Sequence, residues 1–369
     1  MTSKNQTLLS SYQLGHLTLK NRVVLAPMTR ASADPDGRPT ERMARYYASF
    51  AAGDFAMLIT ESTYMDDKLS KGSLDMPGIT NESHIEGWKQ VIDAVHANGA
   101  KMIIQLAHAG ALSQWYKDED VTVAPSSYKP EGERVPAYGP GGEFPVSTAL
   151  KVEEIKELVQ NFARAAANAE KAGADGIELH VGKGFLHDQF LTEYTNNRED
   201  EYGGSLENRL RFIIETVQAI RASTGDNFIV GVEISQYKMN NFGYKWPNGE
   251  ADAKIIFESI AHSGADYIHV TDYVANAPAF GESGPTLAAL AKKYGKIPVI
   301  VNGSIMEPED AELVLNEGGD LISIARMALA NHDWPIKVRE GLPLNPFTGD
   351  VLADGPTIKD SEMLSVDEI

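Results

Sequence analysis

Eight short apolar runs, each followed by a segment with helical periodicity, constrain this chain more than any other feature. The runs are Val23–Met28, Phe55–Glu61, Lys101–Ala107, Gly176–Val181, Phe228–Ile234, Tyr267–Thr271, Pro298–Asn302 and Leu321–Ala325. Helical patterns are expected between them, near 41–52, 84–98, 152–172, 206–223, 250–263, 285–294, 307–317 and 327–340. Strands that are apolar almost throughout need cover on both faces, which parallel sheets flanked by helices provide. The pattern predicts an α/β chain folded as a closed (β/α)8 TIM barrel, a single unit over 1–369. The rival is an open, doubly wound sheet. Its phosphate fingerprint, G-x-G-x-x-G after the first strand, is missing from the corresponding turn.

Two segments interrupt the alternation. The excursion 109–150 follows the third strand and carries Trp115, Tyr116, several prolines and the glycine-rich AYGPGGEFPVS. Loops of this length within a compact barrel are usually functional lids or disordered segments. It leaves the C-terminal end of the strands, so it is expected to act as a lid, with Trp115, Tyr116 or the later Trp246 stacking over a pocket. The tail 342–369 has little periodicity and is expected to wrap the barrel or fray.

Composition narrows the function classes. A formal charge of −19 argues against nucleic acid and anionic membranes as partners, because both demand basic patches. No apolar run approaches the roughly 18 residues of a membrane span, and the N-terminal MTSKNQTLLSSYQLG lacks the apolar core of a signal peptide. With no cysteine, thiolate nucleophiles, Cys-held iron–sulfur clusters and disulfides are all excluded. A cytoplasmic location is the expectation. Oligomeric state is left open, a homo-oligomer included.

In a parallel barrel the chemistry gathers where strands end. The fourth run ends in His180, after which Gly182 and Gly184 break the strand. The third contains Gln105, whose amide offers both a donor and an acceptor; a buried Gln satisfied by backbone is the plain alternative. The seventh and eighth run into Gly303-Ser304 and Ala325-Arg326. The loops after these two strands form the usual phosphate site of the fold, Gly303 allows close backbone approach, and Arg326 supplies a bidentate fork.

The stretch GIELHVGKGFLHDQFLTEYTNNREDEYGGSLENRLRF, residues 176–212, resembles the signature of the old yellow enzyme family of flavin-dependent reductases. The resemblance extends from Leu14 to about Gly341 and implies bound FMN, reduced by NADPH or NADH. Its first flavin-contacting turn is matched by Ala26, Pro27, Met28 and Thr29, its second by Ser62, and its pyrimidine contact by Gln105. Gly303, Ser304, Ala325 and Arg326 stand where the FMN phosphate is expected, with Ala325 in place of the usual Gly. His180 stands where the family binds the carbonyl or nitro oxygen of a small unsaturated acceptor. Asn196 to Ser205, with Asn208 and Arg209, reads as architecture, Ser205 capping the next helix.

Three positions depart from the pattern. Lys183 replaces the Asn or His that completes the oxygen-binding pair; as an ammonium it can hold an oxyanion, or serve as acid or base if burial lowers its pKa. Phe185 replaces the Tyr that protonates the substrate, and carries no exchangeable proton. Glu233 replaces an Arg beside the flavin N1 and C2 carbonyl, where a carboxylate should repel the reduced ring. The two substitutions of opposite charge suggest an ion pair between Lys183 and Glu233. The resemblance implies an NAD(P)H-dependent FMN oxidoreductase acting on an activated alkene, quinone or nitro compound. Double-bond isomerisation and a non-catalytic barrel that binds a flavin or small anion are the alternatives.

Overall fold

The structure, a computed structural model, describes residues 7–115 and 121–364. The eight barrel strands are β1 (Val23–Leu25), β2 (Met57–Ile59), β3 (Lys101–Ala107), β4 (Gly176–His180), β5 (Ile229–Ile234), β6 (Tyr267–Thr271), β7 (Val299–Asn302) and β8 (Leu321–Ile324). All pair in parallel with their neighbours, and β8 closes on β1 through Ile322↔Val23 and Ile324↔Leu25. The predicted barrel is therefore the observed one. β1 stops two residues short of Pro27, which has no N–H to give to a ladder.

Around the strands lie α1 (Glu41–Ala52), α2 (Glu82–Ala97), α3 (Val152–Lys171), α4 (Leu186–Leu191), α5 (Leu206–Ser223), α6 (Glu250–His262), α7 (Leu287–Gly295), α8 (Pro308–Asn316), α9 (Arg326–Ala330) and α10 (Trp334–Glu340). Side-chain caps explain several starts: Thr40, Asn81, Ser205 and Thr286 each accept from an amide of the first turn. The last predicted helix, 327–340, is two helices. Asn331 between them folds its side-chain amide onto the carbonyls of Met327 and Asn345, and Pro335 sits in the first turn of the second. The short α4 and an N-terminal hairpin, Tyr12–Leu14 with Leu17–Leu19, were not expected.

Residues alternate strictly along each strand, and the two faces meet different cores. Outward side chains such as Ile177, Leu179, Val230, Val232 and Ile268 pack beneath the helices in one large cluster. Inward side chains divide by height. At the start of the strands Val24, Met57, Ile103, Ile229 and Leu321 form an apolar plug, closed from outside by Leu14, Leu17 and Leu19 of the hairpin. Gly231 leaves room within that interior: a Cβ there would lie 2.0 Å from the ring of Tyr267. Toward the C-terminal end the interior turns polar, with Gln105, Glu178, Glu233, His269, Thr271 and Ser323 all buried. Buried polar groups require partners, and these find them in one another.

The excursion after β3 is held by the architectural motif after β4. Arg198 pairs with Asp200 and donates to the carbonyls of Pro125, inside the excursion, and Leu150, at its end. The tail packs back on the barrel, where Glu362 forms a buried bidentate pair with Arg30 at 2.6 and 2.7 Å. Among the described residues, no helix is long and apolar enough to cross a membrane.

Candidate active site

Among the described residues, two cavities at the C-terminal end of the barrel are lined by residues expected at the site. The larger, about 330 Å3, is lined by Pro27 and Thr29 after β1, Ser62 after β2, Gln105 of β3, and His180 and Lys183 at the end of β4. The smaller, about 160 Å3, is lined by Gly303, Ser304, Ala325 and Arg326 after β7 and β8. Ten of the twelve residues expected at the site thus line a cavity. Ala26 and Met28 line neither: the Ala26 amide is bonded to the carbonyl of Ile324, and Met28 packs on the outer core.

Glu233 organises the larger cavity from below. Its Oε1 lies 2.7 Å from Lys183 Nζ and accepts from the Thr271 hydroxyl at 2.8 Å. Its Oε2 lies 2.8 Å from His180 Nδ1 and accepts from the Gln105 amide at 2.8 Å. The expected ion pair between Lys183 and Glu233 is present. Burial alone would raise the Glu233 carboxyl, but Lys183 and His180 hold it well below the usual carboxylate range. Burial likewise would lower the Lys183 ammonium, and Glu233 overrides it, raising the group above its ordinary value. Lys183 is therefore a fixed cation, and the suggestion that burial equips it for acid–base work is corrected. One-fifth of its side chain is exposed, so the ammonium is paired without being sealed off.

Local backbone places these groups. Lys183 adopts a left-handed φ of +61°, uncommon for a residue with a side chain, and Gly184 follows at +86°. The Lys183 amide donates to Ser235 Oγ at 2.8 Å, which turns the loop back toward β5 and directs Nζ to Glu233. Phe185 stacks at a tilt against His180, ring centres 4.4 Å apart, and both line the cavity. The position of the missing Tyr is thus inside the site and apolar.

Gln105 has its donor side already committed. Its amide nitrogen donates to both Glu178 and Glu233, while its carbonyl oxygen accepts from Ser62 Oγ at 3.0 Å. Two buried carboxylates leave only that orientation, so Gln105 offers a ring its oxygen and not its NH2. Glu178 in turn accepts from Tyr267 at 3.0 Å and meets His269 Nδ1 at 2.9 Å, and His269 Nε2 reaches Ser323 at 2.8 Å. One hydrogen-bonded network therefore crosses the barrel interior from Ser323, beside the smaller cavity, to Lys183 in the larger.

The residues fit FMN in most respects. At the smaller cavity the Arg326 guanidinium is held toward Ser304 Oγ at 2.9 Å, and Gly303 takes a φ of +149° where a Cβ would strike the Asp272 carbonyl at 2.5 Å. Arg326 with a glycine-bearing loop suits a phosphate. Asp272 lines the same cavity; burial raises its carboxyl, which moderates the repulsion of an anion. FMN would be held by Arg326, Ser304 and Gly303 at the phosphate and by Thr29, Ser62 and the Gln105 oxygen around the ring.

The excursion does reach the larger cavity, through Tyr138 and Phe144 of its glycine-rich stretch and through Leu112, Gln114 and Val135, which the sequence did not single out. The aromatic residues chosen as its lid are not these. Trp246 is buried against Phe257 and Phe280 away from the cavity, because its indole completes the core under α6. Trp115 packs under the Lys71 ammonium, 4.7 Å from its ring centre, and Tyr116 lies outside the described residues. Met239 and Asn240, from the loop after β5, also line the site. No motif flagged them.

The chain is similar to known proteins over most of its length. The sequence profile of the NADH:flavin oxidoreductase / NADH oxidase family matches residues 7–345. The chain is 33% identical over 344 residues to an NADH oxidase of Thermoanaerobacter brockii, with 90% of this chain aligned and about half (51%) of that longer protein. It is 33% identical to 12-oxophytodienoate reductase 2 of Arabidopsis thaliana, covering 92% of this chain and 90% of that one. Among solved structures it superposes on morphinone reductase in complex with tetrahydroNAD with a TM-score of 0.82, at 32% identity over 92% of both chains. The old yellow enzyme homologue of Zymomonas mobilis gives 0.82 at 27% identity, over 97% of this chain and 98% of that one. A complete barrel, two cavities at its mouth and a family match over nine-tenths of its length leave one assignment: the chain belongs to the old yellow enzyme family of FMN-dependent NAD(P)H oxidoreductases.

Proposed function

We propose that this enzyme reduces small quinones or nitro compounds in preference to activated alkenes, with His180 and Lys183 holding the acceptor oxygen. The observation that carries this reading is the convergence of His180 and Lys183 on Glu233 at a cavity where Phe185 stands in place of the expected acid. Bound FMN, reduced by NADPH or NADH, supplies the hydride. Lys183 is held as an ammonium by Glu233, so it can stabilise negative charge growing on an acceptor oxygen without giving up its own proton. His180 is oriented by the same carboxylate through Nδ1. Phe185 cannot protonate a carbon, which an alkene acceptor requires; the oxygens of a quinone or nitro group can take protons from water.

The test is an anaerobic absorbance titration of the purified protein with FMN, then NADPH or NADH, then each acceptor class in turn. Flavin bands that bleach and recover faster with quinone and nitro acceptors than with an enone are expected, and Phe185→Tyr should raise the enone rate. Equal rates in the parent and no gain in the variant would overturn the preference. An isomerised enone without net NAD(P)H consumption would move the assignment to the isomerase, and failure to take up FMN would return the barrel to a binding role.

A further inference from the structure

The loop that carries Lys183 is fastened by a second ion pair, whose two residues do not line the larger cavity. Asp188, in α4, and Lys238, in the loop after β5, are 0% and 2% exposed and directly paired through Oδ1 and Nζ. The other Asp188 oxygen accepts from the Gly184 amide at 2.7 Å, immediately after Lys183. The main chain of Lys238 runs beside Lys183 in a parallel bridge, with the amide of Met239 donating to the Lys183 carbonyl at 3.0 Å. Lys238 Nζ also lies 4.6 Å from the ring centre of Tyr244, whose hydroxyl donates to Glu193. The result is a reciprocal exchange of charges between neighbouring loops. A lysine after β4 reaches a carboxylate on β5, and a lysine after β5 reaches a carboxylate after β4.

Energetics argue that this second pair is there for position. Burial raises the Asp188 carboxyl and lowers the Lys238 ammonium despite their mutual attraction, so neither charge recovers its full cost of leaving water. An apolar pair of the same volume would serve packing as well. What such a pair would lose is direction. The Gly184 amide would lose its charged acceptor, and Lys183, at φ +61°, would lose the restraint that follows it. Gly184 has no slack to spare, since a Cβ there would meet Leu112 at 2.8 Å and Lys238 at 3.4 Å.

We propose that Asp188 and Lys238 are positioning residues for Lys183: their buried pair fixes the left-handed turn that sets the Lys183 ammonium between Glu233 and the acceptor. The inference rests on the acceptor-holding role of Lys183 argued above. The pair also anchors the loop that carries Met239 and Asn240, so it couples two walls of the cavity.

The test uses the FMN-loaded enzyme and the double variant Asp188→Asn/Lys238→Met, which removes both charges while keeping side-chain volume and leaving no lone buried ion. Benzoquinone is the acceptor. The acceptor KM should rise by about tenfold, the scale of losing one hydrogen bond to a charged group. In the Lys183→Met background the same double change should leave KM where Lys183→Met alone put it. A readout independent of turnover is the NMR signal of 13Cε-labelled Lys183, assigned by its loss in Lys183→Met, which should shift or broaden in the double variant. An unchanged KM and an unchanged Lys183 signal would overturn the inference, and so would effects that add in full to those of Lys183→Met. If Lys183→Met alone leaves KM unaltered, the acceptor-holding role falls, and this inference with it.

Discussion

At the scale of single residues, one carboxylate decides the character of the site. Glu233 meets Lys183, His180, Gln105 and Thr271 within hydrogen-bonding distance, so removing its charge strands the Lys183 ammonium and reorients an amide. Glu233→Gln is expected to destabilise the fold by about 3–5 kcal/mol, the cost of breaking a buried pair on one side, and to change both FMN affinity and flavin potential. An unaltered affinity and potential would show that the pair does not stand in for the family's cation. A second buried acid carries a pH signature. Glu61 accepts the Arg30 and Ala31 amides on Oε2, and burial pushes its carboxyl up to about 7 despite these bonds and the nearby Arg30. The protonated form is thus favoured by folding. Its stabilisation is complete below about pH 4.5, the ordinary value, and is lost as pH rises through about 7, a swing on the order of 3 kcal/mol. Melting temperature against pH should flatten across that window in Glu61→Gln.

At the scale of elements, the strand ends act through the segments that clamp them. Arg30 follows Thr29, which lines the larger cavity, and its guanidinium is buried against Glu362, the Tyr46 hydroxyl and the carbonyl of Pro356. The tail that the sequence left as wrapping or frayed is, over 356–362, the partner of this guanidinium. Glu362→Ala would leave a buried arginine without its carboxylate and should lower stability by about 3–5 kcal/mol in chemical denaturation. It should also weaken FMN binding, because the turn that bears Thr29 loses its support. Loss of stability with FMN affinity intact would confine the tail to a structural role. Periodicity located the helices of ten or more residues well. It missed α4 and the N-terminal hairpin because six residues, or two strands of three, carry too little pattern to rise above a loop.

At the scale of the whole molecule, charge and shape act on the cofactor's approach. A formal charge of −19 surrounds a site that must admit the anionic NADPH or NADH. Repulsion over the approach path is screened by salt, as the Debye length falls from about 30 Å at 10 mM to about 8 Å at 150 mM. The kcat/KM for NAD(P)H should therefore rise by roughly two- to tenfold over that range, and a fall with salt would mean that a local basic patch governs entry.

The alternation of apolar strand and amphipathic helix, together with the residues at the strand ends, was enough to specify the barrel, its family and the part of the cavity wall that the strand ends supply. Those signals are local: period, turn chemistry and the place of a side chain at a strand terminus are all written within a few residues. The pairings were not local. The tertiary structure alone turned the Gln105 amide toward two carboxylates, buried Trp246 in the core instead of over the site, and joined Lys238 to Asp188 across fifty positions. Which ion a buried lysine meets depends on loop paths and on the desolvation both charges share, and neither is encoded at the residue itself.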